Sequence, residues 1–122
     1  MEKYDLEERL IDFSVLIIDI VSEIPTTKAG NTMSGQIVRS GTSVALNYGE
    51  AQSAESKNDF IHKMKVVLKE LRETFVALKI IQRSSLYLSE DKIQIAKKEN
   101  NELISIFVKS IETASKNRAK MK

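Results

Sequence analysis

AGNTMSGQIVRSGTSVALNYGEAQSA, residues 29–54, carries only Arg39 and Glu50 as charges, in a chain of which 30% of the residues are charged. All four glycines of the chain fall inside it, at Gly30, Gly35, Gly41 and Gly49. Ile37, Val38, Val44, Ala45, Leu46 and Tyr48 recur between them at helical spacing, so the stretch reads as a helix. A glycine inside a helix costs roughly 0.5–1 kcal/mol relative to alanine, which makes sense at Gly35 and Gly41 if neighbouring backbones approach closely there. A helix without a charged face is normally surrounded by protein, and 122 residues offer few elements to surround it, so other subunits are a natural second source of cover.

The totals around this helix point the same way. The length suits one domain spanning 1–122, and 42% hydrophobic residues with one proline favour long regular elements over a disordered chain. There is no cysteine, which excludes disulfides, thiolate metal sites and thiol nucleophiles and suits a reducing cytoplasm. MEKYDLEERL lacks the basic-then-apolar order of a signal peptide, and no uncharged apolar run approaches about 18 residues. The expectation is a cytoplasmic protein with no membrane segment.

Outward from the central stretch, three further helices are legible. The spacing predicts helix one over 5–24, with Asp5 as its cap and Leu6, Leu10, Phe13, Ile17, Ile20 and Ile24 on one face. Ile24-Pro25 ends it, and Asn31 or Thr32 is the expected cap of helix two, 31–53. Ser56-Lys57-Asn58-Asp59 has capping-box spacing and opens helix three, 57–84. In that helix Ile61, Met64, Leu68, Leu71, Phe75 and Leu78 form a 3-4-3-4-3 seam. Ser89 before Glu90 and Asp91 opens helix four, 89–117, where Asn100 takes the heptad slot between Ala96 and Leu103, a place where a polar residue fixes register at some cost in stability. Four helices, short connections and no strand-like alternation give an all-α, antiparallel up-and-down four-helix bundle.

Charge is distributed unevenly. Residues 1–28 hold seven acids against three bases, net −4, and residues 56–83 hold seven bases against three acids, net +4. Within the basic segment Lys65, Lys69, Arg72, Lys79 and Arg83 share a helical face. The chain ends in KNRAKMK, adding Lys116, Arg118, Lys120 and Lys122 as a second basic patch expected to fray. The stripe reads either as a solvent-facing surface for phosphates or as the partner of acidic helix one lying beside it. Arg39, Asn47 and Glu50 are the polar residues of the uncharged helix; they read as register-fixing groups at a bundle or subunit interface, with a binding pocket as the sharper alternative. His62 stands alone as a histidine, no Walker-type loop or triad setting accompanies the serines, and no metal site or cofactor is expected.

At QIVRSGTSVALNYGEAQSAESKNDFIHKMKVVLKELRET the chain resembles the bacterial family of four-helix-bundle proteins encoded by intervening sequences in 23S ribosomal RNA genes, also catalogued as ribosomal-protein-like. The residues that carry the resemblance are Arg39-Ser40, Thr42-Ser43, Asn47 and Glu50, Glu55-Ser56, Asp59-Phe60, Lys69-Glu70 and Glu73-Thr74. Where members often have an aromatic pair with tryptophan after Glu-Thr, this chain has Phe75-Val76. The resemblance implies a homopentamer with a central opening, and distant kinship with the basic accessory proteins of diversity-generating retroelements, which bind a reverse transcriptase and nucleic acid. Together these readings give the expectation of a non-enzymatic homo-oligomeric scaffold that binds RNA or a nucleoprotein partner through Lys65, Lys69, Arg72, Lys79, Arg83, Lys116, Arg118 and Lys120. The alternative is a structural or protein-interaction module without nucleic-acid contact.

Overall fold

The computed structural model describes residues 3–120, and the side chains of residues 6–118. Its elements are α1 (Lys3–Ser22), α2 (Lys28–Gln52), α3 (Lys57–Arg83) and α4 (Glu90–Lys120), with no strand among the described residues. α2 packs on α1 and α3, α4 packs on α3 and α1, and the backbones of α1 and α3 stay apart across the core. The cross-section is therefore a square with α1 and α3 on one diagonal, the arrangement that short connections impose on four successive antiparallel helices.

Each helix boundary has a local cause. α1 is already helical at Lys3, so Asp5 lies inside its first turn; the Asp5 side chain falls outside the described ones. α2 starts earlier than its composition suggests. Its cap is Thr27, in extended conformation, whose side chain accepts a hydrogen bond from the Gly30 amide, and not Asn31 or Thr32. α3 opens on Ser56, whose hydroxyl oxygen accepts from the Asp59 amide at 3.0 Å. It closes with Ser85 at φ 58°, where the Ser85 amide donates to Gln82 and the Leu86 amide to Ile81, a Schellman turn made without glycine. α4 continues past the expected fraying point to Lys120.

The core is one cluster running through all four helices, with Leu10, Phe13 and Ile17 from α1, Ile37 and Val44 from α2, Leu71, Leu78 and Ile81 from α3, and Ile93, Leu103 and Phe107 from α4. In α3 the buried line is Met64, Val67, Leu71, Thr74, Leu78 and Ile81, again a 3-4-3-4-3 series but rotated from the expected one. Leu68 and Phe75 are only half-buried. The rotation follows from α3 facing α2 and α4 together, and from Thr74 having partners that let a hydroxyl take a core position.

Close approach of α1 and α2 centres on Gly41. Ser14 Oγ donates across the contact, 3.0 Å from the Gly41 carbonyl and 2.9 Å from its own-helix Leu10 carbonyl. A Cβ at position 41 would stand 2.9 Å from Ile17 Cγ2, a fully buried β-branched side chain with little room to yield. Gly41→Ala should cost about 1 kcal/mol in a urea titration, overpacking outweighing the gain in helix propensity. A more stable variant would show that Ile17 can move. Gly35 behaves otherwise: nothing lies within 4 Å of a Cβ there, so the close approach expected at that glycine does not occur within the chain.

Candidate functional site

The seam between α2 and α3 collects most of the polar residues of the uncharged helix. Arg39 projects from α2 with its side chain 52% exposed, bonds Glu70 Oε2 at 3.1 Å and pairs also with Glu73. Ser43 Oγ donates to the same Glu70 oxygen at 3.2 Å. The Glu70 side chain is only 10% exposed, so its carboxylate takes its hydrogen bonds from these donors. One turn further along α3, Thr74 Oγ1 lies 2.8 Å from Ser40 Oγ and 2.8 Å from the Glu70 carbonyl, inside the core. Asn47 turns back to its own helix and donates to the Ser43 carbonyl at 2.9 Å. Glu50 is exposed and meets Lys63 at 3.5 Å.

Arg39, Asn47 and Glu50 thus do not converge. Arg39 and Glu50 each reach α3 across the seam, Asn47 bonds only within α2, and neither charge is buried; the buried charge belongs to Glu70. Sequence reasoning from α2 alone passed over Glu70 and Thr74, although a helical step of three or four links Val67, Glu70 or Leu71, and Thr74 on one face. A pocket built from Arg39, Asn47 and Glu50 is corrected by this geometry. His62 is exposed on α3, and among the described residues no group of three or more histidines or acids is placed to hold a metal ion.

The basic row of α3 faces outward. Lys65, Lys69, Arg72 and Arg83 are exposed and Lys79 is half-buried, its Nζ 5.0 Å from the centre of the Phe75 ring. None of the five has an ion pair among the described residues. Acidic helix one does not lie beside it in the chain, because α1 occupies the opposite corner. The second basic patch is more mixed. Lys116 is exposed, Arg118 Nη1 donates to Asn58 Oδ1 at 3.0 Å, and the Lys120 and Lys122 side chains lie outside the described residues. Beside them, Lys57 and Lys109 line a shallow groove with Phe60, Thr113 and Asn117, where the start of α3 meets the end of α4.

The acids of α1 divide their attention. At its end, Glu23 accepts from Lys92 Nζ at 2.7 Å and from the Tyr87 hydroxyl at 2.9 Å. The lysine bond, and then the tyrosine bond, hold the Glu23 carboxyl below the usual carboxylate range, while the same carboxylate raises Lys92. Burial, and then Glu23, push the Tyr87 phenol up. Arg9 grips Glu99 of α4 with Nε at 2.9 Å and Nη2 at 2.5 Å, and this bond raises the guanidinium further. Tyr48, edge-on to Phe107 with ring centres 5.8 Å apart, is raised by burial and then by the charge of Glu7. Glu8, Asp12 and Asp19 are exposed and, among the described residues, unpaired.

Known proteins give this arrangement a family. The chain is similar to a protein of unknown function from the S23 ribosomal protein family of Bacteroides thetaiotaomicron VPI-5482, whose crystal structure it matches with a TM-score of 0.80 and 29% identity over 87% of this chain and 97% of that one. No curated protein matches it. The seam residues Arg39, Ser40, Ser43, Glu70 and Thr74 all lie within residues 2–109, the span that matches the family model of the 23S rRNA-intervening sequence protein, and the chain belongs to that family.

Proposed function

We propose that the chain is a non-catalytic, self-associating helical scaffold of the cytoplasm, assembling as a homopentamer and holding RNA or a nucleoprotein partner on its basic surfaces. The observation that carries this reading is the outward row Lys65, Lys69, Arg72, Lys79 and Arg83, cationic side chains that the described part of the chain leaves without an acid. Family membership supports it in kind, since the family takes its name from ribosomal RNA genes. Among the described residues no helix is long and apolar enough to cross a membrane, which is compatible with the proposed compartment.

Binding of this sort is phosphate-led. No aromatic platform flanks the row except Phe75, which is already occupied by Lys79, so recognition is tolerant of sequence and sensitive to salt. Repetition around a ring multiplies sites that are weak singly. Neutralising Lys65, Lys69 and Arg72 to alanine should weaken binding of single-stranded RNA and reduce the slope of log affinity against log salt by about 2. The comparison uses a variant whose mass in solution equals that of the wild type, titrated with single-stranded and structured RNA at several salt concentrations. Unchanged affinity and slope would remove the row and leave Lys116, Arg118 and Lys120. Absence of binding by the wild type would favour the second reading, an interaction module without nucleic acid, for which the unpaired acids of α1 speak.

A further inference from the structure

α1 and α3 present two outward faces of opposite sign, each with an apolar centre. On α1, Ile11 (41% exposed), Val15 (50%) and Ile18 (48%) form a stripe flanked by Glu8, Asp12 and Asp19. On α3, Val76 (52% exposed) lies among Lys69, Arg72 and Lys79. These apolar side chains are only about half covered by the described chain, and the six charges have no ion pair among the described residues.

The two faces also match in height. Ser14 of α1 meets Gly41 of α2, and the adjacent Ser40 meets Thr74 of α3, so Ser14 and Thr74 stand at nearly one level of the bundle. α1 and α3 run in the same direction, since each is antiparallel to α2. Counting from that level at about 1.5 Å per residue, Glu8, Asp12 and Asp19 stand within about 3 Å of the heights of Lys69, Arg72 and Lys79, and Val15 near Val76. Acids spaced by four and seven residues face bases spaced by three and seven.

We infer that the acidic-apolar face of α1 docks on the basic-apolar face of α3 in a second copy of this chain. Rotation about an axis parallel to the bundle leaves every height unchanged, so it brings the two rows into register with no shift along the helices. Because the faces occupy opposite corners, each copy gives its α1 to one neighbour and its α3 to the other. The contact is heterologous, the kind that closes into a ring when the rotation does. The acids that the basic row lacks within its own chain come from the next one. This inference rests on the self-association proposed above and narrows its phosphate-binding row: Lys69, Arg72 and Lys79 go to the subunit contact, phosphate is left with Lys65, Arg83 and the end of α4, and the triple alanine variant of Lys65, Lys69 and Arg72 is expected to lose mass in solution.

Charge exchange tests it. Variant A carries Glu8→Lys, Asp12→Lys and Asp19→Lys; variant B carries Lys69→Glu, Arg72→Glu and Lys79→Glu; variant C carries all six. Mass in solution is followed by sedimentation against protein and salt concentration, with circular dichroism to show that each variant is folded. A and B should dissociate at about tenfold or more above the wild-type concentration, and C should reassemble, because the pairing is restored with its sign reversed. Assembly of both A and B like the wild type would overturn the assignment of faces while leaving self-association standing. A wild type that stays monomeric at micromolar concentration would remove self-association itself. If B keeps its mass but loses affinity for single-stranded RNA, nucleic acid is the occupant of the α3 face and the inference falls.

Discussion

Gly30→Ala should destabilise the protein by about 3 kcal/mol, near the upper end of the usual cost of overpacking. A Cβ at this position would lie 2.0 Å from the Pro25 carbonyl oxygen, with Thr27 Oγ1 at 3.1 Å and Ile24 Cγ2 at 3.2 Å. None of the three can yield cheaply. The Pro25 carbonyl accepts the Thr27 amide at 2.9 Å, Thr27 Oγ1 accepts the Gly30 amide at 3.0 Å, and Ile24 is buried. Turning the Pro25 carbonyl away would break its bond from the Thr27 amide, so the overlap has to be relieved by losing that bond and the cap or by tilting the first turn of α2. The helix-propensity gain of alanine, about 1 kcal/mol, is the smaller effect. Urea denaturation followed by circular dichroism checks it, with Gly35→Ala as the comparison because that site has open space within the chain. A Gly30→Ala protein as stable as the wild type would mean that the Pro25 carbonyl does not lie against position 30.

The same corner explains what could and could not be read in the sequence. Proline at 25 marks the end of α1, but the sequence points to Asn31 or Thr32 as the cap of α2 because they adjoin the apolar run. The chain instead folds straight from Pro25 into Thr27, and Gly30 is present for that turn, a reason no periodicity reveals. α3 shows the opposite case. Ser56 and Asp59 announce its start plainly, since capping is local, whereas its buried face is decided by neighbours. By hydrophobicity Leu68 and Phe75 outrank Val67 and Thr74; in the fold Val67 and Thr74 are fully buried, because Ser40 and the Glu70 carbonyl give the Thr74 hydroxyl its hydrogen bonds.

At the candidate site the legible part was composition and the illegible part was pairing. That Lys65, Lys69, Arg72, Lys79 and Arg83 share a face follows from 3.6 residues per turn alone. Whether acidic helix one neutralises them depends on topology, and in a four-cornered bundle the first and third helices are the pair kept apart. Arg39 was conspicuous as a charge in an uncharged helix, yet its partner Glu70 is 31 positions away, beyond the reach of any local rule. Arg39, Ser40, Ser43, Glu70 and Thr74 are among the residues that carry the family resemblance, and nothing in their spacing shows why they occur together. The structure supplies the reason: Ser43 and Arg39 satisfy the Glu70 carboxylate, and Ser40 satisfies Thr74, so these residues fasten α2 to α3 as a unit.

Replacing Asn100 by leucine should stabilise the chain by roughly 2 kcal/mol, the reverse of the usual outcome of a core substitution. Asn100 is fully buried between Ala96 and Leu103 on α4, and among the described residues neither its Nδ2 nor its Oδ1 has a hydrogen-bond partner. An unpartnered buried polar group costs about 1–3 kcal/mol, and leucine removes the amide and extends the apolar line of the core. For a domain of this size the midpoint of thermal unfolding should rise by roughly 5–10 °C. What such a residue contributes is specificity: a single asparagine in a heptad slot disfavours the packings that an all-apolar seam would tolerate. The two contributions separate in one experiment, in which Asn100→Leu is measured for unfolding midpoint, denaturant slope and mass in solution. A higher midpoint with unchanged slope and mass makes Asn100 a plain cost in stability. A higher midpoint with a shallower slope or mixed assemblies makes it the residue that selects one arrangement of the bundle. A lower midpoint would mean that the amide has partners in solution and that the core around Asn100 is built to hold it.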